Sequence, residues 1–148
     1  MSTSSFGRIE MDKMNNEISV AFTLTDFDCD PEEITARVGI TPTKTWIMGD
    51  FINKKKTMKY EYNGWKVHSK LDKDADLESH IISVLAQLKP GWESLVKISQ
   101  SYYTEISCAI YLYSDNQLPA IHFNKEIVQQ IIELNAEIDI DLYNFIED

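Results

Sequence analysis

The sequence contains 148 residues, and its 24 acidic side chains outnumber its 14 lysines and arginines, which gives a net charge of −10. That length suits one domain with a core of its own, and an apolar content of 43% argues against a disordered chain. The excess of negative charge disfavours a general nucleic-acid-binding role, because clustered lysine and arginine side chains are needed to hold the phosphate backbone. An acidic protein instead suits a basic protein partner.

The N-terminal residues are polar and lack periodicity, so we expect a flexible leader at 1–16 and a single domain at 17–148. The chain shows neither the apolar segment of a secretory signal nor a run of about 18 apolar residues that would predict a membrane span. We therefore expect a cytoplasmic protein without membrane contact. Its two cysteines, Cys29 and Cys108, are expected to be reduced thiols, although the sequence leaves a single bridge between them open.

The first elements are a strand and a capped helix. Residues 18–24 alternate between apolar and polar side chains, which is typical of a strand. Asp30 has the chemistry of a helix N-cap and is followed by proline at the first helical position. The helix is predicted to end near Val38, with Gly39 as its left-handed C-cap.

Two further β segments follow, each carrying a tryptophan. They are predicted at 43–51, with Trp46, and at 58–69, with Trp65. The Asn63-Gly64 pair in the second segment is typical of a two-residue hairpin, but it also fits a bulge in one longer strand.

The middle of the chain predicts two consecutive helices and two strands. Helical periodicity covers 77–88, and a shorter helical stretch begins at Trp92. The strands are predicted at 104–113 and at 120–123.

The last elements are a helix and a strand. Asn124 fits the N-cap of the helix and Asn135 its C-terminal end. The helix is expected to bury a broad apolar stripe made of Ile127, Val128, Ile131, Ile132 and Leu134. In the final strand, 137–143, alternation places Asp139, Asp141 and Tyr143 on one face.

A weak internal repeat bears on the fold class. Residues 18–24 and 106–112 share the pattern I-S-x-A-x-x-L, and each is followed by a capped helix and a strand. Chance similarity between two β-rich segments explains four identities in seven about as well. The element order predicts a single α+β domain with a mixed or antiparallel sheet packed with helices, and the repeat suggests a ferredoxin-like arrangement of two strand-helix-strand halves.

Motifs of catalysis and metal binding are absent from the sequence. Two D-x-D-x-D runs, at 26–30 and 72–76, resemble the start of a calcium-binding loop but lack its glycine and its closing glutamate. His68, His80 and His122 have no ligand partner at metal-binding spacing and are interpreted as surface or strand histidines. No phosphate-binding glycine loop or nucleophile elbow occurs. We therefore predict no catalytic residues, no metal and no cofactor.

Charge is unevenly distributed along the chain. The window from Lys44 to Lys73 holds eight lysines and three acids, a balance of +5, whereas the remainder has a balance of −15. Lysines on exposed strands discourage edge-to-edge association, which is one explanation of the basic window. Alternatively, the acidic remainder docks on a cationic surface, or the lysine-bearing region contacts an anionic partner.

Three blocks of sequence carry a family resemblance. They are F-x-L-x-D-F-D-x-D-P-E-E-I-T-A-R-V-G-I-x-P-T-K-T-W-x-x-G-D at 22–50, G-W-K-V-H-S at 64–69 and A-E-I-D-I-D-L-Y at 136–143. Together they resemble the bacterial domain of unknown function 4279 family, from about residue 17 onward. The resemblance implies a small bacterial α+β domain without established catalytic residues. Such domains are often found among the small proteins that neutralise bacterial toxins.

Three functional hypotheses follow. The first is a non-enzymatic immunity protein that binds a basic toxin, such as a nuclease. The second is a small-molecule or peptide-binding domain, in which two tryptophans wall a cleft and polar groups anchor the ligand; both tryptophans also fit packing positions in the core. The third is a metal-dependent hydrolase using Asp139 and Asp141. The candidate binding residues are Trp46, Asp50, Trp65, Asp139, Asp141 and Tyr143.

Overall fold

A computed structural model describes residues 15–147 of the chain. In this range five strands and four α-helices follow one another as β1 (Glu17–Thr25), α1 (Pro31–Val38), β2 (Lys44–Trp46), β3 (Gly64–His68), α2 (Leu77–Leu88), α3 (Trp92–Ser99), β4 (Tyr103–Leu112), α4 (Lys125–Glu133) and β5 (Glu137–Asn144). A short 3-10 turn, Lys89–Gly91, joins α2 to α3. Residues 1–14 of the predicted leader lie outside the described residues. Asn16 is described, and its side chain donates to the backbone carbonyls of Ser114 and Gln117.

The strands form one mixed sheet in the order β2-β3-β1-β4-β5. The first four strands are antiparallel to one another where they pair, and β5 is parallel to β4. The first four strands and their helices follow the βαββαβ order of a ferredoxin-like fold, to which α4 and β5 are added. The predicted α+β class is therefore confirmed. The two strand-helix-strand units marked by the repeat, β1-α1-β2 and β4-α4-β5, are present, but the second half of the ferredoxin-like order is β3-α2-β4.

The helices cover one face of the sheet because the large apolar side chains of the strands recur at every second position. Phe22 of β1, Trp65 of β3 and Ile106 of β4 are fully buried in a single core with helix residues such as Leu85 and Ile131. Trp65 packs edge-on against Phe22, with ring centroids 6.4 Å apart, and its indole N–H donates to the hydroxyl of Thr35. Among residues 15–147 no helix covers the opposite face, and we call it the open face.

The local signals for helix ends are confirmed. The Asp30 carboxylate accepts from the backbone N–H of Glu32 at 2.9 Å, and Gly39 ends α1 in the left-handed conformation with φ +70°. The side-chain oxygen of Asn124 likewise accepts from the N–H of Ile127 at 2.8 Å, at the start of α4. Asn135 follows that helix with φ +52°. These contacts satisfy backbone groups that a helix leaves free at its ends.

The predicted strands at 43–51 and 58–69 are too long. Only Lys44–Trp46 and Gly64–His68 pair in the sheet, and a long loop joins them. Within this loop the two predicted segments still meet in one isolated antiparallel bridge, between Phe51 and Lys59. Asn63 and Gly64 form neither a two-residue hairpin nor a bulge. The Asn63 amide instead holds this loop against the β1–α1 connection, accepting from the N–H of Met48 and donating to the carbonyls of Phe27 and Cys29.

Two predictions for the C-terminal part are wrong. Residues 120–123 form no strand. On α4 only Ile127, Ile131 and the following Leu134 are buried, whereas Val128 and Ile132 are exposed. The buried stripe is therefore narrower than expected. Burying Val128 and Ile132 as well would need a second packing surface beside α4, and the described residues supply a surface on one side of this helix only.

The structure also places a histidine and the two cysteines. His80 is not a surface or strand histidine: it is buried in α2, where its ring Nδ1 lies 2.6 Å from the hydroxyl oxygen of Ser69. Cys108 is buried in β4 and Cys29 is partly exposed, and both are free thiols. Among the helices of residues 15–147, none combines the length and the apolar character that crossing a membrane requires.

Candidate functional site

The open face is built by the residues that alternate with the core positions. Its centre is lined by small, uncharged side chains of β1, among them Ser19, Ala21 and Thr23. The register continues this face through Lys66 of β3 on one side and Ser107 of β4 on the other. A flat surface thus separates two edges of different chemistry.

One edge is cationic and aromatic. The ring of Trp46 lies over Gly64, which has no side chain to displace it, and stacks on Tyr60 with centroids 5.0 Å apart. The ammonium of Lys44 lies 6.0 Å from the Trp46 ring centre and 5.8 Å from that of Tyr60. Burial, and secondarily the nearby charge of Lys44, lowers the pKa of Lys66.

The other edge is acidic and is formed by β4 and β5. Parallel pairing sets Glu105 beside Glu137, and Asp139 and Asp141 follow on the same face of β5. The hydroxyl of Tyr103 lies 2.5 Å from a Glu105 carboxylate oxygen and 2.8 Å from one of Glu137. Sharing its single proton with these two carboxylates, Glu105 foremost, holds its pKa well above its ordinary value.

Two carboxylates of the acidic edge, Asp139 and Asp141, repel each other. The charge of Asp141 raises the pKa of Asp139, although both side chains are exposed to solvent. Like charges so close favour the protonated form of one partner. A cation placed between these carboxylates would relieve the repulsion.

Stacked aromatic pairs flank the carboxylates. Tyr143 stacks on Tyr111 with centroids 5.0 Å apart and a tilt of 13°, and Phe145 stacks on Tyr113 at 5.3 Å. Tyr143 and Phe145 remain exposed by 43% and 53%. Aromatic side chains are enriched at protein-binding surfaces, so these exposed rings favour such a role for the edge.

The structure divides the six predicted binding residues. Asp139, Asp141 and Tyr143 lie together on β5, as the alternation predicted. Trp46 shares their face but belongs to the far edge strand, about 19 Å away by four strand spacings. Asp50 is in the β2–β3 loop, where its carboxylate accepts from the N–H of Ile47 at 3.2 Å.

Trp65 does not face Trp46 across a cleft. Gly64 is the partner of Trp46 in the register, and Trp65 is the next residue, so its side chain points to the opposite face and is buried in the core. The two-tryptophan cleft is therefore not formed. Tyr60 takes the place expected of the second tryptophan.

Sequence reasoning missed several members of the face. Tyr60, Glu105, Tyr111 and Tyr113 carry no local motif. Glu105 and Tyr111 join the site through the pairing of β4 with β5, and Tyr60 and Tyr113 join it by stacking on Trp46 and Phe145. For Tyr111 a signal did exist, because the I-S-x-A-x-x-L repeat defines the alternation of β4.

The main depression of the surface lies away from the predicted binding residues. A depression of about 660 Å³ is lined by Asn15, Asn16, Ile18 and residues of the loops 74–76 and 114–120, and it contains none of the six predicted residues. Within residues 15–147, no group of three or more histidine, cysteine, aspartate or glutamate side chains has a metal-holding arrangement.

Comparison with known proteins places the chain in a family. The family described as Domain of unknown function (DUF4279) matches residues 16–145, which covers β1 to β5 and most of the chain. No curated protein and no solved structure matches the sequence. With a match over nearly its whole described length, the chain belongs to the DUF4279 family.

Proposed function

We propose that the protein is a non-enzymatic binding protein whose acidic edge engages a cationic protein. The observation that carries the proposal is the collection of Glu105, Glu137, Asp139 and Asp141 on one part of a helix-free sheet face. Glu105 lies far from the other three carboxylates in sequence, so nothing local requires the four to cluster. The repulsion between Asp139 and Asp141 opposes the cluster. A partner with lysine or arginine side chains would relieve that repulsion.

The rest of the open face supports orientation of such a partner. Carboxylates raise the rate of encounter with a basic surface, and the Tyr111–Tyr143 pair supplies area for close packing. Lys44 and Lys66 at the far edge repel the same basic partner. The face therefore has one attractive end and one repulsive end, which selects an orientation.

The partner we propose is a basic bacterial toxin, most concretely a nuclease, which this protein neutralises in the cytoplasm. A nuclease must present cationic groups to the phosphate backbone of its substrate. An acidic sheet face that covers those groups blocks substrate access, and this role needs no reaction by the binding protein. Nucleic acid itself is not the proposed ligand.

Co-expression with the toxin candidate encoded next to this gene tests the proposal. We expect the wild-type protein to restore growth, and Asp139→Asn/Asp141→Asn to protect less well. The matched control is Asp28→Asn/Asp115→Asn, which removes two exposed carboxylates outside β4 and β5. Affinity is expected to fall between about 50 and about 300 mM salt because exposed charges are screened. Equal cell death with and without the protein would refute the toxin assignment.

A second candidate function rests on the cationic edge. Trp46 and Tyr60 form a stacked pair beneath Lys44, which suits a small ligand or peptide that combines a planar group with a negative charge. A fragment screen followed through the indole resonance of Trp46 tests this alternative. Trp92, whose N–H donates to Glu133 on the helical side, is the internal control.

A further inference from the structure

Within the described part of the chain, strand β5 has an edge along its whole length that pairs with no other strand. It is the last strand of the sheet, and no strand among residues 15–147 pairs with its outer side. Its eight residues, Glu137–Asn144, are exposed except for partly buried Ile140. The backbone N–H and C=O groups on the outer side of such an edge strand are free to pair with another extended chain.

The two faces of β5 differ in chemistry. Glu137, Asp139 and Asp141 project from the open face. Ile138 and Leu142 project from the helix side, yet they are 40% and 58% exposed, because the helices do not extend over this edge. A strand added here would cover both apolar side chains and extend the core by one strand.

From this geometry we infer that β5 receives an extended strand from a cationic protein partner, in which basic residues alternate with apolar ones. In a sheet, paired residues share a face, so the basic residues would lie opposite Glu137, Asp139 and Asp141. The apolar residues would lie opposite Ile138, Ile140 and Leu142. This inference rests on the proposed function and adds to it the conformation and sequence pattern of the bound segment.

Charge argues against a second copy of this chain as the occupant. If two β5 strands paired antiparallel about Ile140, Asp139 of one copy would face Asp141 of the other on the same face. A register shifted by one residue would instead set carboxylates opposite isoleucine side chains. Like charges directly opposite are destabilising, so the same residues that disfavour self-association favour a basic strand.

Labelled peptides bound to the full-length protein test the inference by fluorescence anisotropy. The probe is a heptapeptide of alternating lysine and valine. Three control peptides separate the contributions: one with the same composition but grouped lysines, one with every amide N-methylated, and one with glutamate in place of lysine. We expect the alternating lysine peptide to bind about tenfold more tightly than the grouped and N-methylated forms.

Protein variants complete the test. Asp139→Lys/Asp141→Lys is expected to lose the lysine peptide and to bind the glutamate peptide, whereas Asp28→Lys/Asp115→Lys keeps the wild-type preference. The amide resonances of β5 should move on binding while those of β2 stay unchanged. Circular dichroism and thermal unfolding establish that each variant is folded.

The outcomes separate the two proposals. Equal binding of the alternating, grouped and N-methylated peptides, with loss in Asp139→Lys/Asp141→Lys, would overturn strand addition but leave the acidic binding edge standing. Failure of every lysine peptide to bind would overturn both. A dimer in sedimentation experiments without peptide, removed by Asp139→Lys/Asp141→Lys or by proline substitutions on β5, would show that a second copy occupies the edge and would overturn the assignment of the partner.

Discussion

Gly64→Ala is expected to displace Trp46 from the open face and to destabilise the protein. A Cβ atom at position 64 would lie 1.9 Å from Cε2 and 2.0 Å from Cζ2 of Trp46, about half of a normal contact distance. The ring must leave and lose its stack on Tyr60, an interaction worth about 0.5–1.5 kcal/mol beyond the buried area. Overpacking of this kind costs about 1–3 kcal/mol, so we expect the free energy of unfolding to fall by about 2 kcal/mol.

A double-mutant cycle in urea isolates this contact. Trp46→Ala removes the atoms that the new methyl group meets, so Gly64→Ala in that background should be neutral or stabilise by about 0.5 kcal/mol, because alanine loses less backbone entropy than glycine. Fluorotryptophan NMR should show a shifted Trp46 signal and unchanged signals for Trp65 and Trp92. If Gly64→Ala destabilises the Trp46→Ala protein as much as the wild type, the steric argument is wrong.

Three further predictions concern the helical core and the acidic edge. Gly91→Ala places a Cβ atom 2.0 Å from the backbone carbonyl oxygen of Val38, which cannot rotate away. Urea unfolding should therefore show a larger loss in the free energy of unfolding than Gly64→Ala causes, about 3 kcal/mol. A loss below about 1 kcal/mol would contradict this packing. Burial lowers the pKa of His80, so the folded protein binds fewer protons than the unfolded chain. Its stability should therefore fall as the pH drops below about 6.5 towards the lower pKa of the folded state. Thermal unfolding of His80→Gln should show a shallower decline with falling pH, and a decline equal to that of the wild type would refute this assignment. Asp141→Asn should lower the pKa of Asp139 towards its ordinary value in a carboxyl NMR titration, and an unchanged midpoint would exclude Asp141 as the cause.

Helix ends were the most predictable part of this protein. Asp30, Gly39, Asn124 and Asn135 act on backbone groups within a few residues of themselves, so their roles follow from local sequence. The alternation of β5 was equally local, and it correctly placed Asp139, Asp141 and Tyr143 on one face.

Strand length and burial depended on distant neighbours. The segments around Trp46 and Trp65 have β-rich composition, but only residues that found a partner within the sheet became part of β2 or β3. The rest became a connection held by Asn63, in which Phe51 and Lys59 form an isolated bridge. Val128 and Ile132 fit an apolar helical pattern and are nonetheless exposed, because burial requires a second surface. Such a surface is a property of the assembled fold.

The candidate site likewise depended partly on local sequence and partly on the pairing of distant strands. The charge pattern along the chain already separated a basic window from an acidic remainder. Pairing of β4 with β5 then brought Glu105 beside Glu137 and Tyr111 beside Tyr143, residues about thirty positions apart in sequence. Local order follows from interactions between near neighbours, which the sequence displays directly. The acidic edge, the aromatic stacks and the free side of β5 arise from the order of strands in the sheet, which many distant contacts decide together.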